Sequence, residues 1–158
     1  MGKKKAIEAQ SVASTLLPTV EEEVLELDEL HSFVYCKKNK RWLWIALCRR
    51  TRQVVAFYLG DRSAESCRQL WRLIPPPYRK ATTYSDFWAA YDKVILTGKH
   101  NSVGKETGQT AHVERWNNTL RQRLGRYVRK TLSFSKSTDN HYWFTHLFIV
   151  NYNKTLAI

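Results

Sequence analysis

The hydrophobic and polar positions of the chain alternate with a β-type period in the first half and follow helical spacing in much of the second. Three apolar-rich segments separated by short polar stretches predict an antiparallel meander, with strands at about 24–36, 41–48 and 53–59. The polar run 37–40 predicts the turn between the first two strands, and 49–52 predicts the next turn.

Helical spacing begins after residue 60. Ser63 is a candidate N-cap, Glu65 lies in the predicted first turn, and the prolines at 75–77 predict the end of this helix. The remaining pattern predicts strands at 81–85 and about 101–103, and helices at 87–95, 111–130 and 139–153. The sequence therefore predicts an α/β fold with a mixed five-stranded sheet and flanking helices. We expect residues 1–22 to form a tail or linker remnant and residues 23–158 to form one domain.

Composition points to a nucleic-acid partner. The 158 residues carry a formal net charge of +12, which favours binding to a polyanion. The three cysteines form no Cys-x-x-Cys pair, which argues against a zinc ribbon and favours reduced thiols. The chain has no apolar run of membrane-spanning length, and its lysine-rich start lacks the apolar stretch of a signal peptide. These features favour a cytoplasmic protein.

Three acidic residues stand out against this basic background. Asp28 lies in an acidic patch within an apolar strand, Asp86 lies where a strand gives way to a helix, and Glu114 lies near the start of the long basic helix. Each has an ordinary explanation: a solvated strand acid, a helix N-cap, and a favourable interaction with the helix dipole. These explanations do not account for all three acids at the ends of neighbouring elements. Mg²⁺ prefers such oxygen ligands, so the pattern predicts a metal-dependent polynucleotidyl transferase.

The long basic helix separates two kinds of residue. Its apolar stripe places Glu114 at one edge, on the same face as Arg121, whereas His112 is predicted to face elsewhere and not to be a ligand. No acid occurs from residue 115 to residue 138. The predicted contacts to DNA phosphates are Arg115, Arg121, Arg123, Arg126, Arg129, Lys130 and Lys136.

Several segments in order along the chain resemble the insertion-sequence-one family of bacterial DDE transposases. They are VLELDE at 24–29, NKRWLW at 39–44, YSDFWAAY at 84–91, VERWN at 113–117, LRQRL at 120–124 and RKTLSFSKS at 129–137. The resemblance implies an RNase H-like fold and an enzyme that cuts DNA 3′ ends and transfers strands. It implies that Asp28, Asp86 and Glu114 are the catalytic, metal-binding acids. We expect Asp28 to bridge two Mg²⁺ ions, with Asp86 and Glu114 each completing one, and Mn²⁺ to substitute for Mg²⁺.

One departure from the family concerns DNA recognition. Family members carry an N-terminal zinc-finger and helix-turn-helix region, and here no Cys-x-x-Cys precedes the domain. We therefore expect a catalytic part that works as a homo-oligomer on transposon-end and target DNA, with an upstream DNA-binding region supplied from another reading frame. Two alternatives stay open at this point: a nuclease on the same fold that only hydrolyses DNA, and a basic DNA-binding module without chemistry.

Overall fold

A computed structural model describes residues 10–86, 88–127 and 136–157. Five strands and four α-helices are present in these residues. The strands are β1 (Val24–Val34), β2 (Cys36–Cys48), β3 (Val54–Gly60), β4 (Thr82–Ser85) and β5 (His100–Ser102). The helices are α1 (Ala64–Leu73), α2 (Ala89–Val94), α3 (Ala111–Arg123) and α4 (Thr138–Leu156).

The strands form one mixed sheet in the order β3-β2-β1-β4-β5. β1 to β3 pair antiparallel as a meander, whereas β4 runs parallel to β1, and β5 runs parallel to β4. The predicted meander and the predicted mixed five-stranded sheet are both confirmed. The predicted cap of α1 is also confirmed, because the Ser63 hydroxyl accepts a hydrogen bond from the Ser66 amide.

Both faces of the sheet are covered, because the central strand β2 is apolar on both of its faces. Trp44 and Ala46 pack with α1 and α2, and Leu43 and Ile45 pack with α3 and α4. This double burial explains why residues 43–48 read as a continuous apolar run rather than as an alternation. The helices on the two faces of the sheet leave the carboxyl ends of β1 and β4 uncovered between them.

The first turn is not where the sequence predicts it. The polar run 37–40 belongs to β2, and the reversal occurs at Tyr35, whose φ of 66° lies in the left-handed region. Residues 36–40 are exposed, so this end of the hairpin accepts polar side chains without leaving the strand conformation. The prediction was wrong because polarity here reflects exposure and not a turn.

Two helices also differ from the prediction. α3 ends at Arg123 and not at residue 130, because Leu124 is extended and Gly125, a poor helix former, opens a short 3₁₀ turn to Tyr127. The last helix, α4, runs from Thr138 to Leu156 rather than over 139–153, and its buried face mixes polar residues such as His141 and Thr145 with the apolar Ile149.

The segment ahead of β1 packs onto the domain from residue 12 onwards. Gln53 donates a hydrogen bond to the Thr15 carbonyl, and Asn153 donates one to the Thr15 hydroxyl. None of the helices in the described ranges is both long and apolar enough to cross a membrane.

Candidate active site

Asp28 and Asp86 meet because β1 and β4 run side by side in the same direction. The last paired residues are Glu26 and Tyr84, so two positions further along each chain bring Asp28 level with Asp86. β4 ends at Ser85, which leaves the edge of β1 unpaired on that side from Leu27 onwards. Carboxyl ends of neighbouring parallel strands are a common place for a binding site.

A third carboxylate, Glu29, joins this pair. Within the described part of the chain, Asp28, Glu29 and Asp86 each offer a carboxylate oxygen, and these oxygens lie within 4.8 Å of one another. Burial and the charges of Glu29, Asp86 and Glu114 raise the pKa of Asp28 to about 7, although the Glu29 backbone amide donates to its Oδ1. So much crowded negative charge favours a cation between the carboxylates.

Glu29 is held rigidly from both ends. Its Oε1 accepts from Arg62 at 3.0 Å, and its Oε2 accepts from the Tyr91 hydroxyl at 2.5 Å. Burial, followed by the charge of Asp86, raises the pKa of Glu29 despite these two partners. The Arg62 guanidinium in turn lies 4.8 Å from the ring centre of Trp42 and 4.2 Å from that of Trp88. Arg62 is therefore fixed by stacking as well as by its ion pair.

Glu26 positions the helix that brings Glu114 to the site. Its Oε1 accepts from the backbone amides of His112 and Val113, at the start of α3. Its Oε2 contacts Arg49 at 3.0 Å and His112 Nδ1 at 2.6 Å, and the Glu26 side chain is fully buried. His112 faces away from the cleft that Glu114 lines, as predicted, and its ring contacts the buried Glu26. Glu26 anchors the helix terminus rather than contributing to the cleft.

Glu114 and Asn117 lie one helical turn apart on α3 and face the same cleft. Asn117 donates a hydrogen bond of 2.7 Å to Asp28 Oδ2, which ties the helix to β1. Glu114 accepts a hydrogen bond of 3.1 Å from the Thr110 hydroxyl. Glu114 thus lines the site without belonging to the three-carboxylate group.

The cleft has a volume of about 480 Å³ and a partly basic wall. Asp28, Glu29, Asp86, Glu114 and Asn117 line it, together with three cationic side chains, Arg62, Lys105 and Arg121. Its acidic floor suits metal ions, and its cations suit phosphate groups.

Of the seven cations predicted to contact DNA, only Arg121 lines this cleft in the described residues. Arg115 lies on a separate, smaller pocket with Arg52 and Tyr152. Arg123 and Lys136 are exposed, and Arg126 stacks on Phe144 at 3.9 Å. Arg129 and Lys130 lie outside the described residues.

Sequence reasoning missed five residues of the site: Glu29, Arg62, Tyr91, Lys105 and Asn117. Strand alternation places Glu29 on the opposite face from Asp28, and the free edge of β1 is what allows both to approach Asp86. Asn117 was recoverable, because a residue three positions after Glu114 shares its helix face. Arg62 and Tyr91 carry no local signal, since only the tertiary fold brings them to Glu29.

Carboxylate and amide oxygens are the donors that Mg²⁺ prefers, and the oxygens of Asp28, Glu29 and Asp86 lie close enough together to share an ion. The residues present therefore fit a hard divalent cation.

Comparison with known proteins supports an assignment for the whole chain. Residues 23–153 match the family model described as IS1 transposase. The iso-IS1n protein InsB of Shigella dysenteriae is 40% identical over 118 residues, which span 75% of this chain and 87% of that protein. The IS1 4 protein InsB of Escherichia coli (strain K12) is 36% identical over 138 residues, spanning 87% and 80% of the two chains.

The fold has a solved counterpart. The HTLV-2 integrase catalytic core domain, determined in complex with magnesium in a trimeric form, aligns with a TM-score of 0.51 at 17% identity. The alignment covers 88% of this chain and 84% of that one. The predicted RNase H-like fold is thereby confirmed. With the family model matched over most of its length, the chain belongs to the IS1 transposase family of DDE-type polynucleotidyl transferases.

Proposed function

We propose that this protein cuts the 3′ ends of an insertion sequence and joins them to target DNA, with Asp28, Asp86 and Glu114 as its catalytic carboxylates. The observation that carries the proposal is the meeting of Asp28 and Asp86 at the carboxyl edge of β1 and β4, with Glu114 facing the same cleft. The family membership of the chain supports the same reaction.

Asp28, Asp86 and Glu114 would hold two Mg²⁺ ions, with Asp28 shared between them. Glu29 adds negative charge beside Asp28 and Asp86, and Arg62 and Tyr91 fix its position. When bound, the two ions activate the attacking oxygen and stabilise the departing one. Mn²⁺ substitutes because it accepts the same oxygen ligands.

The basic residues hold the DNA by its phosphates. Arg62, Lys105 and Arg121 line the cleft, which supports assigning them to the phosphates on either side of the cut. Arg115, Arg123, Arg126 and Lys136 extend this grip over the surface, and Arg129 and Lys130 are assigned the same role from the sequence. Contacts of this type add affinity with little sequence preference.

A cleavage and joining assay tests the proposal. Duplexes carrying element ends are incubated with the protein and Mg²⁺ or Mn²⁺, and nicked and joined products are separated. Asp28→Asn, Asp86→Asn and Glu114→Gln should each abolish both products, whereas the exposed-acid control Glu22→Gln should retain them. A variant that keeps near-normal cleavage removes its residue from the site. Cleavage without joining would identify a nuclease instead.

Partners follow from the same chemistry. Joining two ends requires two active sites, so we place the protein on DNA as a homo-oligomer at the bacterial nucleoid, in the cytoplasm. Sequence-specific reading of the ends is assigned to an upstream region from another reading frame. Fusing a zinc-finger and helix-turn-helix segment to the chain should raise its preference for element ends in competition binding, and an unchanged preference would refute this assignment.

A further inference from the structure

The β1–β2 hairpin extends beyond the rest of the sheet at the same edge as the cleft. β3 ends level with Trp42, which pairs with His31 of β1, and β4 ends beside Asp28. Past these points β1 and β2 pair only with each other, up to the reversal at Tyr35. We refer to residues 35–41 as the hairpin arm.

The arm is strongly basic. It carries Lys37, Lys38, Lys40 and Arg41, and the first three are exposed. No acidic residue occurs between Glu29 and Asp61 in the sequence, so neither strand of the hairpin neutralises this charge. Arg41 lies 3.5 Å from the Thr138 hydroxyl, which brings the start of α4 to the base of the arm. Exposed Lys136 lies two residues before this start, and Asp139 lies one residue after it.

The tip of the arm is aromatic. Tyr35 is 66% exposed and takes a left-handed backbone conformation that is uncommon for residues other than glycine, asparagine and aspartate. The exposed ring of Tyr35, close in sequence to Lys37 and Lys38, provides a surface for a base or sugar, in addition to charges for phosphates.

The position of the arm relative to the cleft sets a length. Tyr35 is seven positions after Asp28 in the sequence. A strand rises about 3.3 Å per residue, so the distance along the hairpin from Asp28 to the tip is about 23 Å. Duplex DNA rises about 3.4 Å per base pair, so this span corresponds to about 7 base pairs.

We propose that the hairpin arm is a second DNA-binding element, which grips the duplex about 7 base pairs to one side of the bond held in the cleft. The inference rests on the proposed function only for the placement of the scissile bond. The lysines contact backbone phosphates, and the tyrosine contacts the sugar or base surface between them.

The test compares DNA lengths and matched charge changes. Lys37, Lys38 and Lys40 are changed together to Gln. The control changes three exposed lysines to Gln: Lys80, Lys99 and Lys154. They lie near the starts of β4, β5 and β3, at the opposite end of the strands from the arm. Binding is measured in EDTA, which prevents cutting, on duplexes that extend 4, 8, 12 or 20 base pairs to each side of the element-end cleavage position.

On duplexes that extend 8 base pairs or more to each side, the arm variant should lose at least about tenfold in affinity. The slope of its log affinity against log salt concentration should fall by about three. It should bind the 4-base-pair extension as the wild type does. The control variant should show no loss of affinity that appears only on the longer duplexes. Tyr35→Asn, which tolerates the same backbone conformation, should weaken binding of the long duplexes without lowering the melting temperature.

Two results would overturn the proposal: equal affinity of wild type and arm variant on long duplexes, or the same loss at every length. Because the readout is binding in EDTA, it is independent of the chemistry. If the arm variant loses affinity only on the long duplexes but the wild-type protein never cuts DNA, the proposal for the arm holds and the proposed function fails. If the arm variant cuts short duplexes normally but shows no binding defect on long ones, the proposed function stands and the arm fails.

Discussion

Asp28 is the residue at which the stability of the protein and its proposed chemistry conflict. Burial, followed by the charge of Glu29 and the smaller effects of Asp86 and Glu114, raises its pKa to about 7. Its compensating contacts are the Glu29 backbone amide and the Asn117 side chain. Such a carboxylate costs folding free energy unless a cation balances it, which is a familiar compromise at catalytic sites.

Replacing Asp28 by Asn should therefore stabilise the metal-free protein. Removing one of several crowded charges should raise the free energy of unfolding by about 1–3 kcal/mol, and a rotated Asn117 amide keeps a hydrogen bond to the new side chain. Mg²⁺ should raise the melting temperature of the wild type but not of Asp28→Asn, because a ligand that binds the folded state stabilises it. Thermal melts with EDTA and with Mg²⁺ give both values, with Glu22→Gln as control. A wild-type melting temperature that is the same with EDTA and with Mg²⁺ would contradict the metal site.

At the scale of elements, a single buried acid places the wall of the cleft. Glu26 binds the start of α3 through two backbone amides and is paired with Arg49 and His112. The next inward residue on the same face of β1 is Asp28, to which α3 is tied again through Asn117. The two contacts together fix Glu114 relative to Asp28.

Glu26→Gln should separate this anchoring role from metal binding. The amide oxygen still accepts from the α3 backbone, but the charge facing Arg49 is lost, so unfolding free energy should fall by about 1–3 kcal/mol. Glu26→Leu, which leaves the amides and Arg49 without an acceptor, should cost more, at about 3–5 kcal/mol. Denaturant unfolding measures both, and the Mg²⁺-dependent rise in melting temperature should survive in Glu26→Gln. Loss of that rise in a folded Glu26→Gln protein would make Glu26 a ligand.

A second inter-element contact links α4 to the base of the hairpin arm. The Ser32 hydroxyl donates to the Arg41 carbonyl, so it accepts at 2.9 Å from His141 Nε2. Burial, with the charges of Arg126 and Arg41, lowers the pKa of His141 to about 4. The unfolded chain therefore binds more protons than the folded one between pH 6.5 and pH 4, and this contact loses stability as pH falls through that window.

His141→Gln should remove this pH dependence. Relative to the variant, the wild type should lose up to about 3 kcal/mol of unfolding free energy between pH 7 and pH 4. The comparison with the variant cancels the opposite trend expected from Asp28, whose pKa is raised. Urea unfolding at a series of pH values gives the difference, and parallel curves for the two proteins would refute the assignment.

The sequence predicts those elements whose packing follows a simple period. β1 to β3 and the start of α1 are predicted correctly because their apolar spacing and the Ser63 cap are local signals. The reversal at Tyr35 is not, since a tyrosine gives no turn signal and the exposed lysines imitate one. The polar residues on the inward face of α4 give no such local signal: the Asn153 side chain pairs with both the amide and the carbonyl of Val54 on the edge strand β3. Glu29 is missed because its approach to Asp86 depends on where β4 ends.

Over the whole molecule, charge is separated by function. Four acids line the cleft, whereas the sequence as a whole has a formal net charge of +12, and cations occur at the cleft wall and on the hairpin arm. Counterion release from DNA follows the number of phosphates contacted and not the base sequence. This arrangement favours tight but unselective binding by the domain itself.

Arg123→Ala should accordingly weaken binding to all DNA sequences alike. Arg123 is exposed at the end of α3, and its loss should lower the salt slope by about one. Lys80→Ala, at the opposite edge of the sheet, serves as the control. Titrations of element-end and random duplexes at several salt concentrations provide the comparison. A loss restricted to element ends would mean that Arg123 reads bases.

The anchoring of α3 by Glu26 joins positions 86 residues apart in the chain. During synthesis on the ribosome, β1 and β4, with Asp28 and Asp86, emerge before the helix that carries Glu114. An unfinished chain that ends before α3 therefore holds two of the three proposed catalytic acids, and its Glu26 has no helix to bind. Because long-range contacts of this kind form only once both partners are present, the candidate site is assembled only after α3 has been made.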